Sequence, residues 1–324
     1  MEQKRTDFCL KSLRINDEAT IGVVSPASRP MDDEKFQQGI IYLKTLGHTV
    51  IQAPHASDRR GYLAGTDESR ADDLNAMFRD PQIDAIFCSR GGYGTPRIIE
   101  KIDYEAIRQN PKIFVGYSDI TTLSLAIWQQ TGLITFSGPM VAVEMANQIH
   151  EFTAGNFWKM ISSPTPAGLL ANPNDVTLKV FHPGEARGRL LGGCLSLINV
   201  LLGTPYCPDF SGAIFFIEDI EEEPYRIDRY LAQLNMAGIL DSLAGVVLGQ
   251  FIDCEQKDRT KPTLELDEIF HDYFDRLKIP VIQNFAYGHG PVKFTLPVGA
   301  QAYLNTNEGG LFITESAVSD NRNA

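Results

Sequence analysis

What the chain lacks narrows it first. Among 324 residues there are five cysteines, Cys9, Cys88, Cys194, Cys207 and Cys254. They are odd in number, widely spaced and free of any C-x-x-C, which argues against a disulfide scaffold or zinc ribbon and for reduced thiols in a reducing compartment. The six histidines form no H-x-x-x-H or H-E-x-x-H, so no metal site is expected. No apolar run approaches the roughly 20 residues of a membrane span. The N-terminus, MEQKRTDFCLKSLRIND, lacks the apolar core of a signal peptide. Positive charge is also scarce: 29 Lys and Arg face 41 Asp and Glu, a formal charge of −12. That disfavours nucleic acid and anionic membrane as partners. The glycines of GGYG at 91–94 lack the G-x-G-x-x-G spacing and a Walker lysine, so no nucleotide cofactor is expected. These absences describe a cytoplasmic globular protein without a cofactor.

What is present is a soluble composition, 43% apolar and 22% charged, on a chain long enough for two cores. The first half alternates strands and helices. Apolar runs at 19–25, 49–53, 83–89 and 113–116 read as strands, with helices opening at Asp32 and Asp33, near Asp67 and after Ser118. Alternation of this kind implies βαβ units and a parallel sheet. Sites in such sheets collect at the carboxyl ends of the strands, which is where SPAS (25–28), SRGGYG (89–94) and GYSD (116–119) fall. The stretch 166–186, rich in proline and polar residues, reads as a linker. It divides an α/β domain over 1–165 from a second domain over 187–324, expected to be smaller and mostly β with helices. In that second part, AIFFI runs directly into Glu218. Further strands are expected at 245–251 and 280–285, and a hairpin turns near 305–310.

Three residues carry candidate chemistry. Ser118 sits where a strand turns into a helix. As a nucleophile it would have backbone N–H groups nearby to hold an oxyanion; the bland reading is a helix N-cap. The turn departs from G-x-S-x-G because Ile120 stands where the last glycine belongs. His289, between two glycines at a strand end, would be the general base, or else an ordinary solvated histidine. Glu218 follows five apolar residues, so it is the acid expected at the buried end of a strand. A buried carboxylate needs a partner, and orienting His289 would supply one. Asp219 competes with Glu218, but alternation points it to the other face. Glu221, Glu222 and Glu223 read as a solvated acidic loop.

Taken together and in order, SRGGYG, VGYSDIT, GRLLGGCLSLINVLLGTPY, FIEDIEEEPYRIDRYLAQL and YGHG resemble the LD-carboxypeptidases, the muramoyl-tetrapeptide carboxypeptidase family of serine peptidases. The resemblance runs from about residue 21 to 312. It implies an N-terminal parallel-sheet α/β domain and a second, mostly β domain with the site between them. It places a Ser-Glu-His triad on Ser118, Glu218 and His289 and an oxyanion hole on the backbone of Gly92 and Asp119. Cys194 departs from the asparagine expected after GG. The implied substrate is a muropeptide, cleaved without metal to release terminal D-alanine in cytoplasmic peptidoglycan recycling, by a homodimer. Arg90, Tyr93, Arg226 and Arg229 are candidate substrate contacts, the arginines because guanidinium matches a terminal carboxylate at two points. For Arg226 and Arg229 the competing reading is a surface ion pair with Glu221–Glu223. Two alternatives stay open: a sister branch resembling the microcin C self-immunity proteases, which would need an aromatic group for a nucleobase, and a catalytically silent binding protein.

Overall fold

Parallel strands buried on both faces need near-continuous apolar runs, and the chain supplies them in short pieces. The structure, a computed structural model, describes residues 9–258 and 260–321. The residues before Cys9, part of the stretch read above for a leader, lie outside the described residues. In the first sheet, β1 (Thr20–Val24), β2 (Thr49–Gln52), β3 (Ala85–Cys88), β4 (Ile113–Val115) and β5 (Thr135–Ser137) run parallel. The helices α1 (Asp33–Thr45), α2 (Asp67–Arg79), α3 (Tyr104–Gln109) and α4 (Thr121–Thr131) connect them. Asp32 caps α1 by accepting the amides of Glu34 and Lys35, and Gly47 leaves it with φ 96°, a left-handed position that suits glycine.

After α5 (Glu151–Ser162) the chain builds a second sheet from β6 (Gly168–Leu170), β7 (Lys179–His182), β8 (Glu185–Cys194), β9 (Ile214–Ile220), β10 (Gly245–Ile252) and β11 (Val281–Gln283). The intervening helices are α6 (Leu195–Leu201), α7 (Pro224–Met236), α8 (Ile239–Ser242) and α9 (Leu266–Phe274). The chain then adds β12 (Leu296–Val298), β13 (Gln301–Asn305) and β14 (Gly310–Ile313). The six-stranded sheet has the order β12-β5-β4-β3-β1-β2, and the eight-stranded sheet β6-β14-β13-β8-β9-β10-β11-β7.

Two expectations are corrected. The stretch 166–186 is not a bare linker, because it contributes β6 and β7, the two edge strands of the second sheet. Nor does everything after residue 187 stay in the second unit. β12 returns to the first sheet and pairs antiparallel with β5, Leu296 facing Ser137. Pro297 is tolerated there because β12 is an edge, where a missing N–H costs no ladder bond. At the centre of the second sheet β8, β9, β10 and β11 run parallel. One apolar core runs through both units. In the first sheet the strand order reverses between β1 and β3, so the carboxyl ends of these strands open the crevice where ligands bind in such sheets.

Candidate active site

β4 ends beside β3, and Gly116, Tyr117 and Ser118 turn the chain into a 3-10 turn (Ser118–Ile120) and α4. Ser118 has φ 62°, a left-handed conformation that costs a non-glycine residue about 1–2 kcal/mol and marks strained functional turns. Two glycines make the room. A Cβ on Gly116 would stand 2.9 Å from the Ile120 side chain, and one on Gly91 would stand 2.8 Å from Ser118 Cβ. Gly116 is the first glycine of the G-x-S-x-G pattern, and Gly91, across from the serine, makes room that the pattern's missing last glycine does not. Neither the 3-10 turn nor α4 has a side-chain cap. The reading of Ser118 as a helix cap is therefore corrected: its hydroxyl, half-buried, is not spent on one.

Side chains not singled out from sequence hold the neighbouring loop. Asp119 is fully buried; its Oδ2 accepts the Thr95 amide at 2.8 Å, and its carbonyl accepts the Thr95 hydroxyl at 2.6 Å. Burial pushes the Asp119 carboxyl up to about 6. Arg70 on α2, also buried, donates to the carbonyls of Pro26 at 2.5 Å and Gly94 at 2.9 Å, joining the loops that follow β1 and β3. The Ser28 hydroxyl accepts the Tyr93 amide at 3.2 Å, and a Cβ on Gly92 would collide with that hydroxyl at 2.4 Å. The same Gly91 Cβ would lie 3.2 Å from the Asp119 amide nitrogen, so Gly91 and that amide stand together beside Ser118.

The second sheet brings the acid and the histidine. Glu218, near the carboxyl end of β9, is fully buried, and its Oε2 lies 2.7 Å from His289 Nδ1. Asp219 leaves the strand on the other face, as alternation requires, and accepts the Ser196 amide at 2.8 Å at the start of α6. Burial, with Glu218 beside it, pushes the Asp219 carboxyl up to about 6. Close approach explains the glycines around His289. A Cβ on Gly288 would meet Glu218 Oε2 at 3.0 Å, and one on Gly290 would meet Gln250 Oε1 at 2.4 Å. The His289 ring packs T-shaped against Tyr117, with centroids 5.0 Å apart, so histidine and serine meet through the residue preceding Ser118. The GG of GRLLGG serves the same junction: a Cβ on Gly193 would stand 2.5 Å from Thr121 Cγ2. Cys194, in place of the expected asparagine, is buried, and its amide donates to the Thr121 hydroxyl at 3.1 Å.

The substrate-contact candidates separate. Arg226 pairs with Glu222 at 3.4 Å, and Arg226 and Arg229 both lie over the Tyr225 ring, at 5.8 and 5.2 Å. For Arg226 this is the surface ion pair foreseen as the competing reading. Arg90, half-buried, has its pKa lowered by burial, and no carboxylate among the described residues pairs with it. Tyr93 is exposed and meets Tyr62 edge-on, centroids 5.7 Å apart. Among the described residues no group of three or more His, Cys, Asp and Glu is placed to hold a metal ion, and no described helix is long and apolar enough to cross a membrane.

Comparison with known proteins identifies the family. Residues 21–138 match the LD-carboxypeptidase N-terminal domain and residues 187–304 the LD-carboxypeptidase C-terminal domain. A probable murein peptide carboxypeptidase of Bacillus subtilis is 41% identical over 311 residues, 96% of each chain. Among solved structures, the microcin C7 self-immunity protein, as an inactive mutant without ligand, superposes with TM-score 0.87 at 25% identity, covering 96% of this chain and all of that one. The muramoyltetrapeptide carboxypeptidase of Oxalobacter formigenes superposes with TM-score 0.81 at 30% identity, over 92% of this chain and 99% of its own. The chain belongs to the LD-carboxypeptidase family of serine carboxypeptidases, which also holds the microcin C self-immunity proteins.

Proposed function

We propose that the chain hydrolyses the amide joining an L-configured centre of the murein stem to terminal D-alanine, in cytoplasmic recycling of peptidoglycan fragments. The observation that carries this reading is the buried Glu218 carboxylate at 2.7 Å from His289 Nδ1, with His289 lying on the residue next to Ser118. Ser118 Oγ attacks the scissile carbonyl and passes its proton to His289 Nε2. Glu218 holds the Nδ1–H tautomer and stabilises the imidazolium. The amides of Gly92 and Asp119 receive the oxyanion. Collapse breaks the C–N bond as Nε2 protonates the departing D-alanine amine, leaving an acyl-enzyme on Ser118. A water molecule, deprotonated by the same nitrogen, releases the tripeptide. Arg90, with no paired carboxylate among the described residues, receives the substrate's terminal carboxylate. The five free cysteines fit a reducing compartment. The homodimer implied by the family belongs to the same proposal and is read by light scattering.

A second reading is favoured by one feature. The exposed Tyr93, which follows Gly91 and Gly92, meets exposed Tyr62 from the loop after β2, and the pair offers an aromatic face such as a nucleobase would need. The enzyme is therefore incubated separately with murein tetrapeptide and with an acylated aminoacyl-nucleotide, and products are read by mass spectrometry. Free D-alanine from the first, lost in Ser118→Ala, is the expected result. Cleavage of the second alone would replace the carboxypeptidase reading.

A further inference from the structure

A histidine flanked by two glycines cannot be held by its own backbone, so its position must come from what touches it. Glu218 fixes one ring nitrogen. The other contact is the Tyr117 ring, and that ring is clamped. The Tyr117 hydroxyl donates to Glu144 Oε1 at 2.7 Å, and Lys293 Nζ donates to the same oxygen at 2.6 Å. Glu144 Oε2 accepts the Met140 amide at 2.9 Å. Lys293 Nζ also stands 3.9 Å from the centre of the Tyr117 ring, within cation–π range. The ion pair is almost dry, with 2% of the Lys293 side chain and 10% of the Glu144 side chain exposed. Tyr117, Glu144 and Lys293 come from three segments: the nucleophile turn, the loop after β5, and the strap four residues beyond His289. The loop after β5 is itself bonded to the end of β3, through Val141 to Cys88 and Ala142 to Ser89, so it shares a frame with the SRGGYG loop.

We propose that the buried Lys293–Glu144 pair is a positioning device which, by clamping the Tyr117 ring, sets His289 at its working distance from Ser118. Lys293 and Glu144 touch neither substrate nor the reacting atoms; they act through Tyr117. Burial, with the Glu144 carboxylate beside it, pushes the Tyr117 phenol far above its ordinary value, so the hydroxyl stays protonated and keeps donating. Burial alone would raise the Glu144 carboxyl, but the neighbouring Lys293, with the hydrogen bonds from Lys293, Met140 and Tyr117, outweighs it and holds that carboxyl below its ordinary value, so Glu144 is ionised at neutral pH. The proposal rests on the triad reading and adds the element that fixes its geometry.

The test compares wild type with Tyr117→Phe, which keeps the ring and deletes the bond to Glu144, and with the double variant Lys293→Met, Glu144→Gln. The double change removes both charges at once, which a buried pair tolerates far better than loss of one partner. Each protein is assayed for kcat and KM on murein tetrapeptide and for the rate at which a fluorophosphonate labels Ser118. Displacement of about 1 Å between reacting groups costs on the order of 10²-fold in rate. The expected result is a fall of about that size in kcat and in labelling for the double variant, about tenfold for Tyr117→Phe, with KM within about threefold in both. Should the double variant fail to fold, the split between kcat and KM in Tyr117→Phe decides. Unchanged kcat and labelling in folded variants, with wild type labelled at Ser118, overturn the clamp and leave the triad standing. A wild type that hydrolyses substrate yet is never labelled at Ser118 overturns the triad and the clamp with it.

Discussion

Burying Asp119 makes one residue a pH-dependent liability. Its folded pKa of about 6 lies above the ordinary 3.8, so between these values the native state holds a proton that the unfolded chain has released. The stability it contributes is therefore full below about pH 4, falls as pH rises toward 6, and above that the cost of a buried charge is complete. One carboxyl oxygen, Oδ1, has no hydrogen-bond partner, so Asp119→Asn mimics the protonated form while keeping an acceptor for the Thr95 amide. Relative to wild type, this variant should gain about 2 kcal/mol of stability between pH 4 and pH 7, at about 1.4 kcal/mol per pKa unit. Urea unfolding at several pH values reads the difference, and parallel curves for the two proteins would show that Asp119 is already ionised at pH 4. The same residue shows what the sequence conceals. Ser118, Glu218 and His289 were legible because each sits at the end of a strand or between glycines, where local pattern exposes it. Arg70, Glu144 and Lys293 were not, because their meaning lies in partners far away in the chain: Glu144 and Lys293 are 149 positions apart.

Among the elements, legibility followed burial. β1, β3, β9 and β10 each carry an apolar run of at least four consecutive buried residues. β8 is written with two arginines and three glycines and gives no strand pattern, because its glycines are there for close approach rather than for strand propensity. A Cβ on Gly192 would fall 1.8 Å from the Phe216 carbonyl oxygen on β9, and one on Gly193 would fall 2.5 Å from Thr121 on the helix behind Ser118. β6, β7 and β12 are edge strands of three or four residues, too short for a period to declare itself. The junction of β8 with α4 carries a prediction at this scale. Gly193→Ala adds one methyl at φ 145° against Thr121 and must push α4, and with it Ser118, away from the second sheet. The variant should lose about 1–3 kcal/mol in stability by overpacking and on the order of 10²-fold in kcat by misplacement. A Cβ at Gly193 would also stand 2.6 Å from the Thr121 hydroxyl, so Thr121→Ser, which deletes the methyl and keeps the hydroxyl for the Cys194 amide, should restore only a small part of both, and Thr121→Ala, which deletes both atoms, a larger part. Absence of any rescue by Thr121→Ala would mean that the backbone angle at Gly193, not the Thr121 side chain, sets the limit.

At the scale of the molecule, the two sheets do not behave as two beads on a linker. The chain crosses between them more than once: β12 closes the free edge of β5 after the second sheet is nearly complete, and the loop carrying His289 and Lys293 is bonded into the first unit. The Ser137 hydroxyl meets the Tyr287 hydroxyl at 2.7 Å, the Thr153 hydroxyl accepts the Lys293 amide at 3.1 Å, and Glu144 holds Lys293. A hinge between such units would have to break buried polar bonds, each leaving groups that cost about 1–3 kcal/mol unpaired. Docking of His289 on the nucleophile turn is then part of folding itself and not a later closure over substrate. Cooperative unfolding follows. Scanning calorimetry of the full chain should give a single transition whose van't Hoff and calorimetric enthalpies agree, although chains of this length commonly unfold in steps. A fragment ending at residue 165 lacks both the edge strand beside β5 and the cation that neutralises buried Glu144, so it should not fold alone. Two resolved transitions, or a folded fragment, would instead establish independent units and return the linker to the role that its composition first gave it.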